Sequence, residues 1–449
     1  MKIFLLFLLN ILFLHCYSQR SFSLINHKKN SFKFDLSGNL VVVPVKVNGV
    51  ELQFLMDTGV KETILFATPQ DSVPLENVSK VKFSGIGIED GVEGVMAVGN
   101  EIIVGETLID SVHNIFVIDA EELDLSSHVG IPINGILGSR LFEDHMIKID
   151  YLKSKVSIYD SYDFPENLIK NYTRIPVEME RSRPYVHINV NLGTRTIRKA
   201  KMLVDMGNSD GLLVFPFLID SLKISEPKIH DFIGRGFNGL IFGYRNRVDG
   251  FDWAGFHIKE PIVSYPDSNA VHAAKLAINR IGSIGNQVLQ HFHVIINYPK
   301  NEIYLKKNRN FGKRFEINMS GMEIKHDGLE WTQRRVPTNI GRRDPDNPNS
   351  PGVSVYSQEE YKYEFSLRPI YRVASVREGS PADLAGVRID DEILKVNGSN
   401  AQNLKLKQIV GKFLHKEGDD IRLVLQRGLE QIKVQFILKD PIPFQKSIN

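Results

Sequence analysis

Asp57 closes the apolar run Phe54-Leu55-Met56 and is followed by Thr58-Gly59, after which apolar residues resume at Ile64. A second carboxylate stands in the same setting. Lys201 to Val204 lead into Asp205-Met206-Gly207, and apolar residues resume at Leu212. A single Asp-x-Gly is a common turn. Two of them, each at the end of a strand, can instead bring two carboxylates close enough to share one proton and one water. Like charges at that distance cannot both ionise cheaply, so one member keeps its proton and the pair titrates as a unit. The ionised member can take a proton from a water attacking a carbonyl carbon, while the protonated member donates to the carbonyl oxygen. Gly59 and Gly207 suit a tight loop whose amides must approach the carboxylates closely.

The surrounding elements repeat as well. Alternating strand pairs precede each aspartate, one around Asn48-Gly49 and one around Leu192-Gly193, and Asn-Gly between such strands signals a hairpin. Two later segments, one from Gly135 and one from Gly282, match when Gly138 is set against Gly285. Leu141 then meets Val288, Ile149 meets Ile296, Tyr151 meets Tyr298 and Lys153 meets Lys300. Asp57 and Asp205 are 148 residues apart, and Gly138 and Gly285 are 147 apart. Two independent blocks at nearly one offset indicate an internal duplication. Gly-rich hairpins fall between the blocks in both halves, Ser84–Gly99 in the first and a stretch around Gly234–Gly250 in the second.

Composition narrows the alternatives. The chain has 449 residues, 42% of them hydrophobic, which is enough for two or three domains with their own cores. A net charge of +2 gives no field that points to nucleic acid. The basic clusters Lys306-Lys307-Asn308-Arg309 and Arg334-Arg335 are short and lack interleaved aromatics. Residues 1–18 place Lys2 before an apolar stretch that ends in small residues at Cys16 and Ser18. That is the layout of a secretory signal cleaved after Ser18, too short for a membrane span. Cys16 is the only cysteine, so the mature chain is expected to hold no disulfide, cysteine nucleophile or thiolate metal site. The expected location is exported, periplasmic or secreted, in a bacterial context.

The ordered pairs of motifs resemble the retropepsin-like, two-lobed aspartyl proteases, in which duplicated β lobes each give one Asp-Thr/Ser-Gly and one apolar-apolar-Gly segment. The resemblance covers about residues 30–310. It implies Asp57 and Asp205 as the catalytic pair, no metal or other cofactor, and peptide or protein substrates. Thr58 would carry the hydroxyl that links the two loops in the family, with Gly59 and Gly207 completing them. Met206 departs from the pattern, because one cross-lobe hydroxyl is missing. Ser84–Gly99 stands where the family has its substrate-covering flap, which competes with a plain surface hairpin. Ile136-Leu137-Gly138 and Ser283-Ile284-Gly285 are expected to buttress the aspartate loops. His291 and His293 alternate on a strand and could ligate a metal. Their repeat counterparts Asp144 and Met146 carry no histidine, which favours a structural role.

Beyond Leu305 the pattern changes. Ser380-Pro381-Ala382 to Gly386, then Asp390-Asp391-Glu392-Ile393 and Asn397-Gly398, an amphipathic segment at Leu404–Leu414 and two closing strands resemble a PDZ domain of the protease-associated type. The resemblance implies capture of a peptide C-terminus. Ser320, Gly321 and Met322 would form the carboxylate-binding loop, and the groove would lie between the strand near Tyr371–Val376 and the helix near Leu406–Leu414. The expected chain is thus mainly β: a signal peptide (1–18), protease lobes at 30–160 and 171–310, and a PDZ-like α+β module at 315–440 with an insertion near 333–363. The closest resemblance is to bacterial aspartyl proteases that carry a PDZ domain. The rival expectation is a catalytically weak or inactive peptide-binding protein, motivated by Met206.

Overall fold

A computed structural model describes residues 22–25, 29–67, 73–83, 92–119, 125–161, 164–236, 239–268, 276–337 and 361–443. The signal segment 1–18, the flap portion 84–91 and the insertion core 338–360 lie outside these residues. The described chain is mostly β and forms four sheets. It divides into two compact units, one of residues 1–124, 133–315 and 442–449, the other of 125–132 and 316–441.

From residue 40 the chain forms β1 (Leu40–Val47), β2 (Val50–Met56), β3 (Thr63–Ala67), β4 (Val92–Val104) and β5 (Leu108–Asp119). The short helix α1 (Leu125–Val129) follows, then β6 (Gly135–Leu137), β7 (His145–Asp150) and β8 (Lys155–Asp160). The plan then recurs with β9 (Arg183–Asn191), β10 (Thr196–Val204), β11 (Leu212–Val214), β12 (Lys228–Gly236), β13 (Gly239–Arg247) and β14 (Ile262–Pro266). It closes with β15 (Arg280–Ile284), α2 (Asn286–Leu289), β16 (Phe292–Asn297) and β17 (Glu302–Lys307).

The β1–β2 turn uses Asn48 at φ 45° and Gly49 at φ 85°, the left-handed pair that a two-residue hairpin needs. Strand β2 is buried at Leu52, Phe54, Leu55 and Met56, so its apolar run delivers Asp57 to the edge of a packed core. β6 then enters between β2 and β3, parallel to the first and antiparallel to the second. β15 does the same between β10 and β11. Because a third strand separates the two that flank each aspartate, the Asp loop cannot close as a hairpin and bridges the gap instead.

The halves join through a six-stranded sheet in which β7 pairs antiparallel with β16. Lys148 opposes Ile295, Ile147 opposes Ile296 and Ile149 opposes Val294. Residue 295 lies 147 positions beyond 148, so the register is centred on an equivalent pair and a pseudo-twofold axis runs through it. The same offset that relates the sequence blocks therefore relates the strands in space.

The second unit contains β18 (Met322–Pro337), β19 (Tyr361–Val376), α3 (Pro381–Leu384), β20 (Glu392–Val396), α4 (Leu406–Leu414), β21 (Asp420–Arg427) and β22 (Glu430–Ile437). Ser380 caps α3 by accepting from the Asp383 amide, with Pro381 in the first turn. β18 is the edge of this sheet and β19 is paired on both sides. Tyr371–Val376, expected as the groove strand, therefore has no open edge for strand addition, which needs unpaired backbone groups; among the described residues β18 has one.

Candidate active site

Asp57 and Asp205 leave β2 and β10 at equivalent points, and each is fixed by the strand wedged beside it. The Asp57 amide donates to Leu137 O at 3.0 Å, and the Asp205 amide donates to Ile284 O at 2.9 Å. Two residues beyond Leu137 and Ile284, the Ser139 amide donates to Val60 O and the Asn286 amide to Asn208 O, both at 2.8 Å. The two apolar-apolar-Gly segments thus buttress the loops through backbone bonds.

The loops bring the carboxylates together. Gly59 N–H donates to Asp57 Oδ1 at 2.6 Å and Gly207 N–H to Asp205 Oδ1 at 3.1 Å. A Cβ added at Gly59 would lie 2.8 Å from Asp205 Oδ1, and one added at Gly207 would lie 2.6 Å from Asp57 Cγ. Each glycine is required because the opposite aspartate occupies the space of a side chain. Thr58, fully buried, donates its hydroxyl to Val204 O at 2.7 Å and accepts from the Met206 amide at 3.0 Å. Met206 is also fully buried and carries no hydroxyl to return these bonds.

Electrostatically the pair is unequal. Burial, then the charge of Asp205 and a hydrogen bond to it, push the Asp57 carboxyl up to about 7 against the Gly59 amide, which favours its anion. Burial raises Asp205 too, but Arg280, the Gly207 amide and the hydrogen bond from Asp57 all favour its anion. The proton that the two share therefore resides on Asp57 and the charge on Asp205. Arg280 is buried, donates through Nε to Gly282 O at 3.1 Å and lies over the Phe215 ring. The charge of Arg183 also favours both anions. Sequence reasoning missed both arginines and Asn286. For Asn286 a signal existed: it follows Gly285 where Ser139 follows Gly138.

The remaining expected site residues fall elsewhere. His291 stacks on Phe315 at 4.7 Å between ring centres, and burial lowers its pKa to about 4. His293 faces Asp150 at 3.7 Å. Thr63, His113 and Asp110 form a hydroxyl–imidazole–carboxylate chain at 2.7 and 2.6 Å. All three are buried, which leaves the Thr63 hydroxyl no access to a substrate. In the second unit Gly321 adopts φ 78° against Ser380, while Ser320 and Met322 are fully buried. The Ser320 amide donates to Asn318 Oδ1 at 3.0 Å and the Met322 amide to Ser320 Oγ at 3.2 Å. The strand-facing helix adjoins this loop, because Met319 N–H donates to Phe413 O at 3.0 Å.

Comparison with known proteins places a PDZ domain at residues 372–427, where the model of that family matches. The probable CtpA-like serine protease of Staphylococcus aureus (strain COL) is 40% identical over 63 residues, 14% of this chain. The 26S proteasome non-ATPase regulatory subunit 9 of Mus musculus is 37% identical over 67 residues, 15% of this chain. The matched segments span only 13% and 30% of those proteins. Among solved structures, the aspartic proteinase from Irpex lacteus aligns with 64% of this chain and 99% of its own, at 12% identity and a TM-score of 0.42. Basic 7S globulin from soybean aligns with 62% of this chain and 94% of its own, at 9% identity and a TM-score of 0.37.

Proposed function

We propose that the chain is an aspartic endopeptidase, exported to the periplasm or beyond, whose PDZ domain captures substrate or partner C-termini. One observation carries the catalytic reading: two carboxylates related by the pseudo-twofold axis meet, each against the loop glycine of the other. Asp205, the anion, takes a proton from water as the water oxygen attacks the peptide carbonyl carbon. Asp57 gives its proton to the carbonyl oxygen, producing a neutral gem-diol intermediate; Asp205 then passes its proton to the amide nitrogen as the C–N bond breaks, while Asp57 takes one back from a gem-diol hydroxyl, leaving a carboxylic acid, an amine and the starting dyad. The Gly59 and Gly207 amides hold the carboxylates during both transfers. Export is supported by the signal-like residues 1–18. Among the described residues no helix is long and apolar enough to cross a membrane.

The deciding experiment is a peptide-library digest from acidic to neutral pH with the full chain and with Asp57→Asn and Asp205→Asn. Cleavage by the full chain and its loss in both variants is the expected result; turnover that survives in either variant refutes the shared dyad. Buried Met206 favours a second reading, a cleft that binds peptides without cleaving them. Saturable peptide binding with no product at any pH would select it.

A further inference from the structure

The missing hydroxyl at position 206 has a counterpart elsewhere in the site. Asn286 Nδ2 donates to Met206 O at 2.6 Å, and Asn286 Oδ1 accepts from the Tyr151 hydroxyl at 2.7 Å. All three residues are buried, and burial raises the Tyr151 hydroxyl far above its ordinary range, keeping it a donor. Tyr151 follows β7 in the first half, whereas Asn286 opens α2 in the second, so the chain of bonds crosses the axis. The Met206 peptide unit is then held at both ends, its N–H by Thr58 and its C=O by Asn286.

The other side of the axis shows what the asparagine adds. There the equivalent positions are Tyr298 and Ser139. Both hydroxyls are buried, and neither has a hydrogen-bond partner among the described residues. Serine is too short to bridge from the tyrosine to the opposing loop; asparagine reaches. We propose that Tyr151 and Asn286 are positioning residues of the dyad: the bond between them ties the Asp205 loop, already gripped by Thr58, to the first half, a second cross-lobe link where the 206 hydroxyl that would have gripped the Asp57 loop is absent.

This inference rests on the endopeptidase reading, so its test needs a readout beside hydrolysis. The variants are Asn286→Ser, which copies the first half, Tyr151→Phe, Met206→Thr and the double variant Met206→Thr/Asn286→Ser. In the full chain, Asn286→Ser should lower kcat at least tenfold with KM within about twofold, and Tyr151→Phe should do so to a smaller extent. Met206→Thr alone should change kcat by less than threefold, since the loop is already held, yet it should recover most of the loss in the double variant. The independent readout is the pH dependence of Tm between pH 4 and 7, which follows the dyad proton and should weaken in Asn286→Ser. Unchanged kcat in Asn286→Ser, or no recovery in the double variant, overturns the proposal. If the full chain proves inactive, the endopeptidase reading falls, and an unaltered Tm profile in Asn286→Ser overturns the positioning role as well.

A separate observation carries a second inference. The second compact unit includes residues 125–132. Helix α1 packs beside the edge strand β18, and Gly130, at φ 75°, approaches the first turn of α4 so closely that an added Cβ would sit 2.7 Å from Leu406 Cδ2. On the peptide-capture reading, β18 and α4 are the two walls of the groove. Leu406 is at the opposite end of α4 from Phe413, which adjoins the Ser320-Gly321-Met322 loop. We infer that residues 125–132 are the resident ligand of that groove and that an incoming peptide must displace them. An occupied site lowers the apparent affinity by the fraction of molecules in which it is open.

This too rests on the peptide-capture reading. The probe is a fluorescent hexapeptide with a free apolar C-terminus, titrated by anisotropy into the full chain carrying Asp57→Asn, with and without Gly130→Ala. The added methyl should expel the segment and tighten binding about tenfold, and saturating peptide should raise amide exchange at 125–132 in the Gly130 protein. Equal affinities with unchanged exchange overturn the internal ligand alone. Binding to neither protein overturns the groove reading and the internal ligand together.

Discussion

The proton rests on Asp57 because burial and the charge of Asp205 outweigh what the Gly59 amide and Arg183 do for its anion, while Arg280 favours charge on Asp205. A carboxyl raised in the folded protein contributes stability that is fully present below its ordinary pKa, near 4, and is lost as pH rises through about 7. The expected result is that the full chain loses stability relative to Asp57→Asn across that window, by at most a few kcal/mol, as read from urea midpoints at several pH values. Hydrolysis follows the same proton: kcat/KM should fall on the alkaline side of about pH 7, a limb set by the pair as a whole. An alkaline limb near pH 4 instead would mean that the pair is more solvated than its burial indicates.

Among the elements, the wedged strands β6 and β15 set the geometry, and each is followed by a glycine that touches backbone. A Cβ at Gly285 would lie 2.6 Å from Asn208 O, and one at Gly138 the same distance from Lys61 O. Overlap with main chain cannot be relieved by a rotamer change. Gly285→Ala and Gly138→Ala should therefore each cost about 1–3 kcal/mol and lower kcat, measured by thermal unfolding and initial rates. Gly234→Ala is the control, because no atom lies within 4 Å of its added Cβ; it should stay within about 0.5 kcal/mol.

The hairpins, the aspartates and the buttressing segments were legible in the sequence because period-two alternation and a constant offset are local or repeated signals. The bond between Asn286 and Tyr151 was not, although the repeat marked both positions. They stand 135 residues apart, and neither spacing nor periodicity marks a bond that exists only once two halves have folded together. Arg280 carries no mark in the sequence, and only the fold shows its charge acting on Asp205. Position 206 looked like a defect for the same reason, since the second link between the halves lies on another element. The PDZ motifs stood in order, yet the strand expected to line the groove is an inner one, because strand order within a sheet is not written in any one strand.

Across the whole molecule, the chain beyond residue 312 is not a detachable tail. Buried Arg247 donates to Phe315 O at 3.0 Å and to Ile442 O at 2.8 Å, both within the first unit. Deleting residues 312–449 should therefore destabilise the β9–β17 half by roughly 2–4 kcal/mol, even on substrates that never meet the PDZ domain. Replacing only residues 316–441 with a flexible linker keeps both acceptors and should preserve cleavage of short peptides. Comparable melting temperatures for the two truncations would show that Arg247 does not tie this segment down.

The central register of the joining sheet has one more implication. Lys148 faces Ile295 at the point where two separate copies of a half would place a residue against itself. In such a pair of identical chains every substitution lands twice, so a loop that gave up its hydroxyl would give up both. Covalent fusion removes that constraint and lets each half accumulate its own changes. One side could keep Thr58 and Ser139 while the other exchanged a hydroxyl for Met206 and acquired Asn286. The fused chain can thus hold two carboxylates of the same chemistry in different states before any substrate arrives, a division of labour that a symmetric dimer would have to create anew each time one bound.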